Sequence, residues 1–201
     1  MNTQQDDLKI IREMMEKSSK FLSLSGLSGV IAGVTAILGA GFTYYYLLII
    51  PVIIITRMQE AAMLLAVAFV VLTISIGAAV FLSKKKAAKT GQKLFNAMTL
   101  KLLYHLAVPL ITGGLLALIF LFRGDLEIAI SSTLIFYGLA LVNASKFTYN
   151  EIHYLGLTEI VVGLFAFLFP HNDLLFWTLG FGICHIFYGL LMYFKYDRKK
   201  Q

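Results

Sequence analysis

One cysteine, three prolines and one tryptophan stand among 201 residues, and only 14% of the chain is charged. Each scarcity excludes something. The lone Cys184 lies in an apolar stretch and can form neither an internal disulfide nor a cysteine-only metal cluster. Charge this sparse, beside 59% apolar residues, is too little to coat a soluble domain of this length. Paired C-x-x-C, H-E-x-x-H, P-loop and dinucleotide motifs are all missing, so neither a metal site nor a cofactor is expected. The opening MNTQQDDLKIIREMMEKSSK mixes acids with bases and has no short apolar stretch ending in a cleavage site, so a removable signal peptide is not expected.

What is present in quantity is long apolar runs. A hydrocarbon layer roughly 30 Å thick takes about 20 residues per helix, so six helices use about 120 residues and leave only short links. The predicted class is therefore all-α, a polytopic membrane helical bundle with six transmembrane helices over 21–194. The spans run from Phe21 to Phe42, Ala61 to Leu82, Leu102 to Phe122, Leu126 to Ala144, Tyr154 to Phe169 and Leu174 to Phe194. Residues 43–59, TYYYLLIIPVIIITRMQ, are apolar but broken by Pro51, and three adjacent tyrosines suit the lipid headgroup zone. That segment is expected to be interfacial or re-entrant. Aromatic starts at 21, 104 and 154, each followed by a glycine at 29, 113 or 163, suggest three hairpin repeats.

Within residues 1–20, Leu8, Ile11, Met14 and Met15 share one helical face, and charges four apart pair on the other. This predicts an amphipathic helix on the cytoplasmic membrane surface, or else a solvated extension of the first span. Residues 195–201 are expected to form a basic cytoplasmic tail. The net charge of +6 does not point to nucleic acid, because the bases flank the spans instead of lining one element. With both termini inside, all 17 Lys and Arg except Arg57 and Arg123 fall on the cytoplasmic side. The lipid bilayer is then the first partner.

The stretch YLGLTEIVVGLFAFLFPHNDLLFWTLGFGICHIFYGLLMY alternates small residues at helical spacing with a short P/N/D turn. It resembles the small six-helix bacterial membrane proteins of the acid-resistance HdeD type. The likeness covers chiefly the last two spans and rests on helix-packing residues. It implies a bacterial inner-membrane protein and no particular chemistry.

Several constellations are candidates for function. Ser25, Gly29 and Gly33, with Ser28, Ala32 and Ala36 beside them, form stripes that let helices approach closely, either inside the bundle or along a homo-oligomer seam. GLSG at 26–29 matches the G-x-S-G around the rhomboid-protease nucleophile, with His185 as a conceivable base, but the serine is on the wrong span and the partner cluster is missing. His105 and His153 lie at similar depth, as a haem pair would. More often, histidines at helix starts simply meet headgroups. Asn143, Lys146, Asn150, Glu151 and His153 crowd the link between spans four and five, as a cytoplasmic site would, or as helix caps and one ion pair such as Lys146 with Glu151 would.

Glu159 and His185 carry the most information, since ionisable groups inside spans are expensive and face a partner or water. The turn between the last two spans centres near residue 171, so antiparallel packing sets Glu159 opposite about residue 183, within one turn of His185. A polar lock is one reading and a proton-coupled path the other. The expected function is accordingly a helical scaffold, assembly, stress or regulatory protein acting through lipids or an unknown protein partner. The alternative is a proton-coupled transporter or channel using Glu159 and His185. An enzyme is less expected than either.

Overall fold

The computed structural model describes residues 21–49, 56–89 and 95–198. These are helical apart from short links and the stretch 21–25, with no strand among the described residues. The helices are α1 (Gly26–Ile49), α2 (Arg57–Lys89), α3 (Ala97–Arg123), α4 (Leu126–Ala144), α5 (Asn150–Leu168) and α6 (Asp173–Asp197), and all six are long and apolar enough to cross a membrane. A 3-10 turn, Ser145–Phe147, follows α4. The amphipathic helix expected within 1–20 lies outside the described residues.

Helix ends follow local chemistry. Asn96 caps α3 by accepting from the Thr99 amide at 2.9 Å. Gly124 closes the same helix at φ +88, where its own amide reaches Leu121 O and that of Asp125 reaches Phe120 O. The turn between α5 and α6 passes through His171 at φ +70, whose Nδ1 lies 2.8 Å from Glu127 Oε1 at the start of α4.

Two boundaries differ from expectation. The helix starts at Gly26 instead of Phe21, because the preceding backbone is engaged elsewhere: Phe21 N donates to Phe147 O at 2.7 Å, and Phe21 O accepts from Thr148 Oγ1 at 2.9 Å. At the other end α1 runs on through all three tyrosines to Ile49. Residues 43–49 are thus the last turns of α1 and not a separate element. Nothing before Pro51 breaks a helix, and the residue preceding a proline disfavours helical geometry. Residues 50–55 lie outside the described part. Similarly, α6 continues to Asp197, so 195–197 are helix where a basic tail was expected.

Helix α6 is not uniform. Thr178–Cys184 is π-helical between α-helical stretches, and Tyr193–Asp197 is π-helical again. A wider turn of this kind shifts the faces of the two halves against each other, and it recurs at functional positions.

The helices pack in the order α2, α1, α6, then the α4–α5 pair, with α3 on the far side of α4, while α2 and α3 barely meet. Helices this apolar have little burial to gain from one another if lipid surrounds them, and here close backbone approach marks the contacts. Methyl groups added at Gly26, Gly33 or Gly189 would meet backbone across the α1–α6 contact at 2.3, 2.5 and 2.6 Å. Gly138 and Gly156 play the same part between α4 and α5. Burial follows this order. In the most apolar 18 residues of each helix, 50% of α4 and 39% of α5 are buried, against 6% of α3 and none of α2. At 33 residues and 1.5 Å per residue α2 is about 50 Å long, well beyond the hydrocarbon layer.

Candidate functional site

Glu159 on α5 is wholly buried, at 0% exposure. Its carboxylate fits because α6 presents Gly180, where an added methyl would stand 2.4 Å from Oε2 and 2.5 Å from Leu134 Cδ2. His185, at the end of the π-helical stretch, holds its Nδ1 3.3 Å from Glu159 Oε1 and 3.1 Å from Gly180 O. Its Nε2 lies 2.8 Å from the hydroxyl of Tyr137 on α4. Three helices therefore meet in one polar chain, Tyr137, His185 and Glu159. Leu134, Val162 and Ala166, with Trp177, Leu179 and Phe181 against them, form an apolar cluster in the same part of the bundle. The Phe181 ring stands 5.0 Å from that of Tyr137 and 5.9 Å from that of His185.

Proton placement follows from donor and acceptor chemistry. A carbonyl only accepts, so the nitrogen facing Gly180 O carries a hydrogen. In the neutral ring Nε2 then accepts from Tyr137, and the Nδ1 hydrogen goes to Gly180 O. The contact with Glu159 has ion-pair distance without hydrogen-bond alignment, and neither carboxylate oxygen has a regular hydrogen-bond partner. A buried acid so sparsely solvated is costly unless its neighbour shares charge with it.

The structure brings together the polar pair singled out by sequence, Glu159 and His185, and adds Tyr137 and Gly180. A mid-span tyrosine needs a hydroxyl partner wherever lipid headgroups are out of reach, which is the signal that marks Tyr137.

The polar cluster after α4 divides in two. Ser145, Lys146, Asn150, His153 and Tyr154 line an open cavity of about 240 Å³. Lys146 reaches Asn143 Oδ1 at 3.4 Å, Asn143 Nδ2 donates to His105 O at 2.9 Å, and Ser145 Oγ faces His153 Nδ1 at 3.4 Å. Glu151 turns the other way. It does not pair with Lys146 but accepts from Lys195 Nζ at 2.5 Å and Tyr196 OH at 3.0 Å, because its helical position faces α6. The two histidines weighed as a haem pair have separate partners, since the His105 ring stacks on Phe147 at 4.8 Å.

At the same end a second network joins distant parts of the chain. Asp197 Oδ2 accepts from Gly26 N at 2.9 Å and Ser25 Oγ at 3.1 Å, so the last turn of α6 caps the first turn of α1. Its Oδ1 lies 2.7 Å from Lys86 Nζ, which also donates to Leu24 O at 2.8 Å and Tyr149 OH at 3.1 Å. Tyr149 OH donates to Leu22 O, and its ring stacks on Tyr196 at 4.1 Å. Burial, and then the carboxylate of Asp197, push the Tyr149 phenol well above its ordinary range, so it stays a donor.

Of the small residues predicted to pack, Ser25 just before α1 and Ser28, Gly33 and Ala36 on it are buried, Gly29 approaches Gly189 Cα at 3.2 Å, and Ala32 is half-buried. The stripe beginning at Ser25 is thus spent inside the bundle, against α6. Ser28 Oγ donates to Ser25 O at 2.6 Å. With that hydrogen given to the backbone and both His185 nitrogens engaged elsewhere, GLSG is a packing motif here and not half of a nucleophile–base pair.

No protein-family model matches the chain, and no curated protein or solved structure is significantly similar to it.

Proposed function

We propose that this chain is an integral-membrane helical scaffold acting through lateral contacts with lipids or other proteins, as an assembly, stress or regulatory component. One observation carries the reading: Glu159, the charged group a conduction path would use, is 0% exposed and sealed beneath Gly180 and Leu134. A transported ion or proton has to reach its relay through water, so a dry, packed acid suits a lock better than a path. The nearly unburied α2 and α3 leave much apolar surface for neighbours, including a second copy of the chain.

The distribution of Lys and Arg, with the likeness to HdeD-type proteins, supports a bacterial inner membrane and cytoplasmic ends. Contacts of α1 with α2, of α3 with α4 and of α5 with α6 are consistent with three repeated hairpins.

A proton-coupled transporter is the second reading. Its supporting observation is the pair of unpartnered Glu159 oxygens beside His185 and a π-helical stretch, a combination that suits a mobile proton. Reconstitution in liposomes under an imposed pH gradient separates the two. The scaffold reading expects proton flux no greater than in protein-free vesicles, and flux that disappears in Glu159→Gln would replace it with the transporter.

A further inference from the structure

The open cavity beside α5 has a one-sided chemistry. Its five lining residues, Ser145, Lys146, Asn150, His153 and Tyr154, include a lysine and a histidine and no acid. The one acid in the first turn of α5, Glu151, is held on the opposite side by Lys195 and Tyr196 and leaves the cavity's charge uncompensated. Lys146 is exposed, and its contact with Asn143 at 3.4 Å is long for a hydrogen bond, so its ammonium keeps donors to spare. The Asn150 amide and the Tyr154 hydroxyl can donate to the same guest, and because Ser145 Oγ already donates to Val142 O and faces His153 Nδ1, the second ring nitrogen of His153 joins them as a donor in the protonated ring. Donors converging from a lysine, an amide, a phenol and an imidazole suit a tetrahedral oxyanion.

The position selects among oxyanions. The cavity lies where α4 ends and α5 begins, at the same end of the bundle as Lys86, Lys195 and Asp197, and exposed Tyr154 stands on its wall. Tyrosines and lysines at span ends mark the headgroup layer, and the cytoplasmic leaflet supplies anionic lipids there. We propose that the cavity binds a phosphate group, that of an anionic phospholipid headgroup, with Lys146 as the charge contact and Asn150, His153 and Tyr154 as donors around it. This deepens the scaffold reading by naming a lipid chemistry, and it depends on membrane placement alone, so proton flux through Glu159 would leave it untouched.

The test uses the full chain, purified and delipidated, then titrated with phosphatidylglycerol, phosphatidylcholine or inorganic phosphate. Retained lipid is read by native mass spectrometry and stabilisation by thermal unfolding. Phosphatidylglycerol should be retained and should raise the melting temperature, and Lys146→Ala should weaken it about tenfold, as the loss of one charged hydrogen bond does. Lys146→Arg should restore most of that. Lys85→Ala, an exposed base at the same end, should change nothing. Competition by inorganic phosphate would assign the site to phosphate of any origin, and retention without competition would assign it to the headgroup. Equal retention of phosphatidylcholine and phosphatidylglycerol, or equal weakening by Lys85→Ala and Lys146→Ala, would overturn the proposal.

Discussion

Gly138 and Gly156 face each other across α4 and α5 so closely that a methyl on either would stand 2.6 or 2.7 Å from the other's carbonyl oxygen. The obstacle on each side is backbone, which cannot rotate away.

Alanine at Gly138 or Gly156 should therefore destabilise the bundle by about 1–3 kcal/mol through overpacking. Gly33→Leu should do at least as much on the α1–α6 contact, where Gly182 O stands at 2.5 Å. Gly114→Ala on α3, with nothing within 4 Å, should be neutral or slightly stabilising. Thermal unfolding in detergent measures all four, and equal melting temperatures would show that these contacts do not hold the bundle.

A second expectation concerns Tyr137, His185 and Glu159. Removing one member of a buried charged pair leaves the other uncompensated, at about 3–5 kcal/mol, whereas joint replacement by apolar residues of similar size is far cheaper. Glu159→Gln, His185→Leu and the double variant form a cycle whose coupling should lie within about 0.5–3 kcal/mol. Tyr137→Phe should cost about 1 kcal/mol, one hydrogen bond. Strictly additive single effects would mean the 3.3 Å contact carries no energy.

Legibility in the sequence followed distance along the chain. Glu159 and His185 flank one turn, so hairpin arithmetic alone brings them to the same depth. Tyr137 joins them from α4, and no sequence rule fixes the register between α4 and α6. The π-helical stretch at 178–184 was equally hidden, since its sequence, TLGFGIC, contains no proline and its two glycines, Gly180 and Gly182, read equally well as helix-packing residues. Hydropathy located six helices long and apolar enough to cross a membrane but not the role of Asp197, which meets Gly26 from 171 residues away. A strongly charged last segment reads as a solvated tail unless its partner is known.

Asp197→Ala should leave the first turn of α1 uncapped and Lys86 short of its carboxylate, costing about 1–3 kcal/mol. Asp197→Asn keeps the acceptor oxygen and should recover part of that. Hydrogen exchange at the Gly26 amide gives a local readout, with faster exchange in the alanine variant and little change in a control such as Arg198→Ala.

Topology supplies the fourth expectation. In the cysteine-free Cys184→Ala background, a cysteine at Lys85 should resist a membrane-impermeant maleimide added outside intact cells, and one at His171 should react. The opposite pattern would invert the protein in the membrane and place the cavity at Lys146 on the outer face.

The capping of α1 by Asp197 also sets an order of events during synthesis. Of the described helices α1 is synthesised first, while the groups that finish it, Gly182, Gly189 and Asp197, are among the last described residues to emerge. Until then α1 can lean on α2, where Thr35 and Ser75 meet at 3.3 Å, but its glycine side stays vacant. The first helix therefore waits on the last for its packing and its cap, so its tertiary contacts close late in folding.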